Sequence, residues 1–209
     1  MSAQLASPEP GAAVSPEDQA RADFYALISR LFYAGPDDAL LVAIAHADEI
    51  VAESENISLA QCWKSLTSAA AAMEAEAAQE EYDSVFVGTG KAQVTPYASH
   101  YLAESVKESV LVQLRAELAD AGLRRDQGVA EFEDHFSSLC EIMRHLISLG
   151  SEDVALRKQK SFFLRYLAPC YAGFCDAVTA APDTNFYKHV ARFTKAFLDV
   201  ETASFEIAQ

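Results

Sequence analysis

Residues 15–32 have the sequence SPEDQARADFYALISRLF, and this stretch indicates the fold class of the chain. Ser15 is a favourable N-cap, and Pro16 suits the first helical position, where a backbone N–H has no partner within the helix. The apolar residues that follow have helical spacing: Ala20, Phe24, Leu27, Ile28, Leu31 and Phe32. The stretch therefore predicts an amphipathic helix that begins after Ser15 and stops before Gly35-Pro36.

The same pattern repeats along the rest of the chain. Apolar residues recur at helical spacing in the later segments, and no segment has the sustained alternation that is typical of a strand. Further helices are predicted to begin at Asp37 and Ser58, to cover residues 69–81, to run from near Ser99 to Ala121, and to occupy residues 132–147, 151–168, 169–178 and 186–198. We therefore expect an all-α protein, a compact helical bundle of roughly eight to ten helices in two packed halves.

A polar segment separates two blocks of predicted helices. Residues 123–130 are charged and contain Gly128, which predicts a hinge or linker. The N-terminal helical half is then residues 15–122, and the C-terminal half is residues 131–209. Residues 1–14 are rich in Ala, Ser, Pro and Gly, and we expect a disordered tail there. A hinge of this kind would also permit a homodimer by domain swapping.

Charge and composition exclude several classes of function. The 209 residues include 16 Lys and Arg against 31 Asp and Glu, which gives a formal net charge of −15. This charge repels a phosphate backbone and attracts a basic peptide, so nucleic acid is not expected as a partner. We expect no secretory signal, no stable membrane insertion and a cytoplasmic location.

Four cysteines form no CxxC pair and are predicted to be small apolar core residues of a reducing compartment: Cys62, Cys140, Cys170 and Cys175.

No motif in the sequence supports catalysis. GTGK at residues 88–91 lacks the GxxxxGK[ST] spacing of a phosphate-binding loop and follows a predicted helix, so a turn is favoured. No nucleophile elbow or triad order is present, and we expect neither an enzyme nor a bound cofactor.

The alternative is a helical metal-binding or enzymatic bundle that uses Glu131, His135, Glu141 and His145. Both Glu–His pairs have i,i+4 spacing on one predicted helix, whereas a di-iron bundle uses Glu-x-x-His on two helices. Surface ion pairing is the favoured interpretation of Glu141 and His145.

Three stretches carry an ordered set of motifs. YDSVFVG at residues 82–88 is followed by VTPYASHYL at residues 94–102, and EFEDH occupies residues 131–135. Together they resemble the TorD/DmsD/NarJ family of chaperones for complex redox enzymes. That family has a Tyr, a Phe-Val-Gly-like ending, a short loop, then Pro, an aromatic residue, Ser and Tyr-Leu. Its Glu-Pro-x-Asp-His motif is similar to EFEDH, with Phe132 in place of Pro. Weaker similarity covers residues 21–32 and 185–201.

The resemblance implies an all-α maturation chaperone. Its client would be the catalytic subunit of a molybdenum-cofactor oxidoreductase, and the chaperone would bind the apoprotein or its basic twin-arginine signal peptide until cofactor insertion is complete. Acidic side chains would then face the basic part of the peptide, and aromatic side chains its apolar part. The resemblance and this requirement together indicate nine client-binding residues: Asp134, His135, Glu131, Phe132, Pro96, Tyr97, Ser99, Tyr101 and Phe86.

Helical spacing gives the Asp134-His135 pair a predicted position. With Phe132 at the centre of the apolar face, an advance of ~100° per residue puts His135 at the edge of the buried stripe. Asp134 then points towards solvent or a groove. A His at such a boundary is also compatible with a satisfied core residue. The chain departs from the family at Tyr166 and Cys170, where relatives often have His and Trp, so a role of that His or Trp does not transfer.

Overall fold

The computed structural model describes residues 15–51, 57–88, 91–102, 107–120, 133–150 and 152–207. Within these ranges the chain forms nine α-helices and no strand, apart from one isolated antiparallel bridge. The helices are α1 (Pro16–Tyr33), α2 (Asp38–Ala45), α3 (Ile57–Ala72), α4 (Ala75–Tyr82), α5 (Lys107–Asp120), α6 (Phe136–Ser148), α7 (Asp153–Phe162), α8 (Tyr171–Ala180) and α9 (Phe186–Ile207). The expected all-α bundle is confirmed.

Several sequence-based expectations fall outside the described residues. The tail at residues 1–14, the hinge at residues 123–130, and the site residues Glu131 and Phe132 belong to this group. The division of the chain into two halves and the domain-swapped homodimer therefore stay predictions. Helices from both sides of the predicted hinge pack together, with α1 against α6 and α3 against α9.

Two helices begin at the caps that the sequence predicts. Ser15 Oγ accepts a hydrogen bond from the backbone N–H three residues further on, at 3.0 Å, and Pro16 is the first residue of α1. Asp37 caps α2 in the same way, at 2.8 Å. The predicted cap at Ser58 is wrong, because α3 already begins at Ile57 and Ser58 lies inside the helix.

The helix predicted to run continuously from Ser99 to Ala121 is interrupted. Ala98–Tyr101 form a single 3₁₀ turn, Leu102 has an extended backbone with φ −91° and ψ 156°, and the next described helix is α5 (Lys107–Asp120). The backbone N–H groups of Ala98 and Ser99 donate to Asp134, which lies 35 or more positions later in the chain. Local periodicity does not predict the interruption, because the anchor is a distant residue.

The predicted helix at residues 132–147 also begins later than expected. Residues 133–134 form a turn, His135 is the N-cap with φ −61° and ψ 135°, and α6 begins at Phe136. A spacing of 100° per residue does not apply before the first helical residue. Asp134 and His135 are 4% and 3% exposed, so of the two alternatives predicted for the Asp134 side chain, open solvent is wrong, and the carboxylate instead lines a surface cavity.

Two helices end in π-helical turns, Asp83–Val87 after α4 and Phe163–Leu167 after α7. The first turn closes at Gly88, which has φ +65°. A Cβ at this position would lie 2.5 Å from the carbonyl oxygen of Lys91, so only glycine fits. The chain then returns along the π-helical turn, and the N–H of Val94 donates to Val85 O at 2.9 Å. This return brings the segment after Gly88 to the surface where the motif residues meet.

One aromatic cluster joins helices from most of the chain. The ring of Phe32 on α1 lies with its centroid 4.8–6.1 Å from the rings of Phe86, Phe136, Phe174 and Tyr187. These four residues belong to the first π-helical turn, α6, α8 and α9. Most of the pairs are edge-on, which is the favoured arrangement of aromatic rings. The described helices therefore share a single apolar core.

Two buried carboxylates tie helix ends and helix faces together. Arg21 on α1 donates to both oxygens of Glu201 on α9, at 2.7 and 2.9 Å. Burial alone would lower the pKa of Arg21, but the hydrogen bonds and charge of Glu201 outweigh burial and raise it, so the guanidinium stays charged. Glu81 accepts from the N–H groups of residues 185–187 at 2.7–3.0 Å and so caps α9.

The cysteines lie where the sequence predicts small apolar residues. All four are free thiols; Cys140, Cys170 and Cys175 are buried, and Cys62 is half-buried. Burial raises the pKa of the three buried thiols, so they are protonated at neutral pH. Among the helices described, none combines the length and the apolar character that crossing a bilayer requires.

Candidate functional site

Two motif segments that are distant in sequence are joined by backbone hydrogen bonds. The N–H of Phe136 donates to Pro96 O at 2.8 Å, and the N–H of Ala98 donates to Asp134 O at 2.9 Å. Between these two bonds, Tyr97 and His135 form the isolated antiparallel bridge. The pairing fixes residues 94–102 against residues 133–136, so side chains from both motifs reach one surface.

Asp134 is the buried acceptor of this unit. Its Oδ2 accepts a second bond from the same turn, from Ser99 N at 3.2 Å. Burial, together with the negative charge of Asp134, raises the pKa of the Cys170 thiol to about 12. The Asp134 carboxylate can accept hydrogen bonds but offers little open surface, because the residue is 4% exposed.

The His135 ring is held on two sides. Its Nδ1 lies 2.9 Å from Ser137 Oγ and accepts from Ser137 N at 3.3 Å, which is the N-cap bond of α6. The ring also stands edge-on to Tyr97, with centroids 5.3 Å apart and planes at 84°. Because Nδ1 accepts a backbone proton, the neutral ring carries its own proton on Nε2. His135 therefore positions the Tyr97 ring and starts α6.

A cavity of about 390 Å³ opens to the surface in front of Asp134. Its walls come from the segment before and within the 3₁₀ turn, from α5 and from the motif carboxylate: Thr95, Tyr97, Ser99, His100, Leu111, Arg115 and Asp134. Beside it, Arg115 Nε donates to Glu133 Oε2 at 3.2 Å. The arrangement places two carboxylates next to an aromatic ring and an apolar side chain. Such a surface suits a cationic group with an apolar neighbour.

Five of the predicted site residues lie together at this cavity. Tyr97, Ser99 and Asp134 line it. His135 lies behind Tyr97, and Pro96 is buried with its carbonyl oxygen bonded to α6.

The other predicted site residues are not among those that line the cavity. Phe86 is 6% exposed and packs against the rings of the aromatic core, so it gives a peptide no surface. Tyr101 is half-buried, donates its hydroxyl to Thr95 O at 2.9 Å, and lies against Phe174 with centroids 5.8 Å apart. Glu131 and Phe132 lie outside the described residues.

Of the residues in the alternative metal-binding interpretation, Glu131 lies outside the described residues, and the other three, His135, Glu141 and His145, are not assembled. Glu141 is exposed and accepts hydrogen bonds from Nε and Nη2 of Arg144, and His145 lies in the last turn of α6. His135 is at the opposite end of that helix. In the part of the chain that the structure describes, no three or more His, Cys, Asp or Glu side chains form a group that could hold a metal ion. Glu141 does form a surface ion pair on the exposed face of α6, but its partner is Arg144 and not the predicted His145.

The two departures from the family pattern are core positions. Tyr166 and Cys170 are 1% and 0% exposed, and Cys170 Sγ donates to Tyr166 O at 3.2 Å. Their difference from the family's His and Trp therefore changes the packing behind Asp134. It does not change the residues that line the cavity.

Sequence reasoning missed Arg115, Glu133, His100 and Leu111. Glu133 belongs to EFEDH, so the motif itself was an available signal. His100 is likewise inside VTPYASHYL. Arg115 and Leu111 lie on α5, 18 or more residues before Glu133, and no local pattern indicates that this helix forms a wall of the cavity.

Comparison with known families supports the motif-based resemblance. The family model described as "Nitrate reductase delta subunit" matches residues 53–176, which is more than half of the chain. The matched region begins before α3, ends within α8, and includes both motif segments and the cavity between them. No curated protein matches the chain.

Proposed function

Because the chain belongs to the nitrate reductase delta subunit family, whose members are maturation chaperones of molybdoenzymes, we propose that it binds a client's catalytic subunit through its twin-arginine signal peptide. The proposed binding site is the cavity between residues 94–102 and 133–135. The chain acts in the cytoplasm and holds the client until cofactor insertion is complete. It works by binding and not by catalysis.

One observation carries this proposal. Two motifs whose bonded residues lie more than 30 positions apart in the sequence are paired through backbone bonds, and both supply side chains to one surface cavity. Core packing alone does not require the polar groups of Ser99 and Asp134 to line an open cavity. A binding site does require a few polar groups placed beside apolar ones.

The charges around the cavity favour a peptide arginine. Glu133 already accepts from Arg115 at 3.2 Å, and the Arg115 side chain is 51% exposed. Because the Arg115 side chain can turn into solvent, a peptide guanidinium can take its place at the Glu133 carboxylate, whose side chain is 19% exposed. The net charge of −15 adds a long-range attraction for the basic part of the peptide. Tyr97 and Leu111 then contact its apolar part.

Peptide affinity of two matched variants tests the proposal. Glu133→Gln removes a carboxylate that pairs with an arginine beside the cavity, and Glu141→Gln removes a carboxylate that pairs with an arginine on the exposed face of α6. We expect Glu133→Gln to weaken binding of a labelled peptide with two adjacent arginines and an apolar segment by about fivefold, equivalent to about 1 kcal/mol. Glu141→Gln should leave the affinity unchanged.

Two further measurements use the same fluorescence anisotropy assay. Replacing both peptide arginines by lysines should weaken binding, because lysine cannot form the bidentate contact with a carboxylate. The affinity should also fall as salt rises, since ions screen attraction beyond ~8 Å at physiological ionic strength. Equal affinities of Glu133→Gln and Glu141→Gln would contradict the location of the site. Failure of the unmodified chain to bind any such peptide would contradict the function itself.

A further inference from the structure

A second groove lies between α5, α6 and α7. It has a volume of about 500 Å³, and apolar side chains from all three helices and from the end of α6 line it: Leu118, Ile142, Leu146, Leu149 and Phe162. Leu149 is 55% exposed, although it belongs to this apolar lining. The groove is concave and open, so it can receive side chains from another molecule.

The rim of this groove is basic, in contrast to the chain as a whole. Lys158, Arg165 and His145 line it, and the acidic side chain among its lining residues, Glu117, forms an ion pair with Arg165. Residues 157–165 have the sequence RKQKSFFLR, with four basic residues and no acidic one. These four are a quarter of the 16 basic residues of a chain whose net charge is −15. A local concentration of positive charge in such a chain indicates attraction of an acidic partner.

The outer side of α7 continues the same combination of charge and apolar surface. Val154 on α7 is 56% exposed and lies about one helical turn before Arg157 and Lys158, and Leu164 in the following π-helical turn is 43% exposed. The contacts that hold α7 to the protein come chiefly from its other side, where Gln159 and Phe162 are buried. An apolar floor with basic edges is complementary to an amphipathic helix whose apolar stripe is flanked by Asp and Glu.

We propose that this groove binds an acidic amphipathic helix of a partner protein, independently of the peptide site at Asp134. The partner helix places apolar side chains at i, i+3 or i+4 and i+7 on the apolar floor, and its carboxylates face Lys158 and the neighbouring cations. A membrane surface fits less well, because the apolar residues line a concavity that a planar bilayer does not enter. The chain's own segment 121–132, AGLRRDQGVAEF, carries two arginines and lacks the acidic character that the rim selects.

The two binding surfaces lie at opposite ends of α6 and select opposite charges. His135 caps the N-terminus of this 13-residue helix, and His145 lies in its last turn. At 1.5 Å per residue the helix is about 20 Å long, which separates the α6 residues of the two surfaces, although Arg115 of the cavity and Glu117 of the groove lie two residues apart on α5.

The test uses designed helical peptides and the full chain. The first peptide has leucines at i, i+3, i+4 and i+7 with flanking glutamates, and the second has lysines in place of the glutamates. We expect the acidic peptide to bind, whereas the basic peptide should bind only at the cavity, where the twin-arginine peptide competes with it. Absence of acidic-peptide binding, or basic-peptide binding that the twin-arginine peptide does not displace, would overturn the proposal.

Matched variants locate the site. Lys158→Glu reverses an exposed charge on the groove, and Lys91→Glu reverses an exposed charge outside the residues that line it. Leu149→Ser and Leu156→Ser form a second pair, since both leucines are exposed and only Leu149 lines the groove. We expect Lys158→Glu and Leu149→Ser each to weaken the acidic peptide by about fivefold or more and the control variants to bind normally. Equal loss in both members of each pair would overturn the groove assignment.

Two control measurements distinguish the other partners and the proposed function. Vesicles of phosphatidylserine and phosphatidylcholine should not bind the chain. Vesicle binding that Lys158→Glu abolishes, without acidic-peptide binding, would overturn the helix proposal in favour of a membrane surface. Lys158→Glu should leave the affinity for the twin-arginine peptide unchanged. Loss of acidic-helix binding at the groove can therefore be distinguished from loss of signal-peptide binding at the cavity.

Discussion

Asp134 accepts the N–H of Ser99 while it lines the cavity, so an arginine of the proposed client peptide would share this carboxylate with the backbone. His135 is in a similar position, since its ring caps α6. Substitutions at these two buried residues therefore alter folding as well as binding. Glu133 is the better probe of peptide binding, because its partner Arg115 is largely exposed.

Asp134→Ala tests the structural role of the buried carboxylate. The substitution leaves the Ser99 N–H without its acceptor, and we expect the free energy of unfolding to fall by about 1–3 kcal/mol. Asp134→Asn keeps an oxygen acceptor and should lose less. Urea unfolding of both variants measures the difference. Equal stability of Asp134→Ala and the unmodified chain would contradict a structural role for this carboxylate.

Two glycines with positive φ provide a matched pair. Gly88 has φ +65°, and a Cβ there would lie 2.5 Å from the carbonyl oxygen of Lys91. Gly150 has φ +110° with nothing within 4 Å of a Cβ. Gly150→Ala should therefore cost only the backbone strain of about 1–3 kcal/mol, and Gly88→Ala should cost more because a backbone clash is added. Thermal unfolding of the two variants checks the order, which would be reversed if the turn at Gly88 relaxed freely.

At the scale of the elements, helix ends depend on side chains from other parts of the chain. Glu81 on α4 accepts three backbone N–H groups at the start of α9, more than 100 residues later. Carboxylates are favoured at helix N-termini because they meet unpaired N–H groups and the positive end of the helix dipole. The position of α9, the longest helix described, is thus fixed at one end by a single residue.

Glu81→Ala is expected to be strongly destabilising. It leaves three buried or part-buried donors without an acceptor, and we expect a loss of at least about 3 kcal/mol in the free energy of unfolding. Glu80→Ala, which changes an exposed neighbour on the same helix, is the control and should have little effect. Hydrogen exchange at Phe186 and Tyr187 should accelerate only in Glu81→Ala. Unchanged exchange would show that these amides are protected by another group.

At the scale of the whole molecule, ionisable groups are enclosed by the shared core. Burial raises the pKa of Cys140, Cys170 and Cys175 and of the phenols of Tyr25 and Tyr187. Each of these groups is neutral when protonated. The folded state therefore holds these protons at pH values where the unfolded chain releases them.

Stability should consequently fall at alkaline pH. The pKa of Cys170 is about 12 in the folded chain, so between its ordinary value near 9 and 12 the unfolded state binds fewer protons. The free energy of unfolding then decreases as pH rises, by on the order of 1 kcal/mol between pH 9 and 10 for this thiol. Urea unfolding at both pH values measures the slope. Cys170→Ala should flatten it more than Cys62→Ala, and a slope that neither changes would contradict the assignment.

The hinge predicted at residues 123–130 also concerns the whole molecule. Its composition leads us to expect that a protease cuts residues 123–130 before it cuts α6, because that helix is packed against α1. Mass spectrometry of the first fragments identifies the site. Cleavage that begins within residues 137–148 would contradict the assignment. Light scattering on the intact chain measures whether a domain-swapped dimer forms.

The sequence by itself determined the fold class, most helices and their amphipathic faces. The caps at Ser15 and Asp37 were predictable because capping involves residues only three positions apart. The family resemblance was also predictable, since it depends on the order of motifs. The same motifs identified Tyr97, Ser99 and Asp134, which do line one cavity.

Only the tertiary structure decided where the motif helices begin and which residues complete the site. Ala98 and Ser99 are held in a 3₁₀ turn by Asp134, and His135 precedes α6, so the helical spacing used to predict the direction of the Asp134 side chain did not apply. The pairing of Arg115 with Glu133 and the basic groove beside α7 likewise arise from helices that meet in space. Periodicity reports contacts within about one turn of a helix, whereas these contacts join residues that only packing brings together.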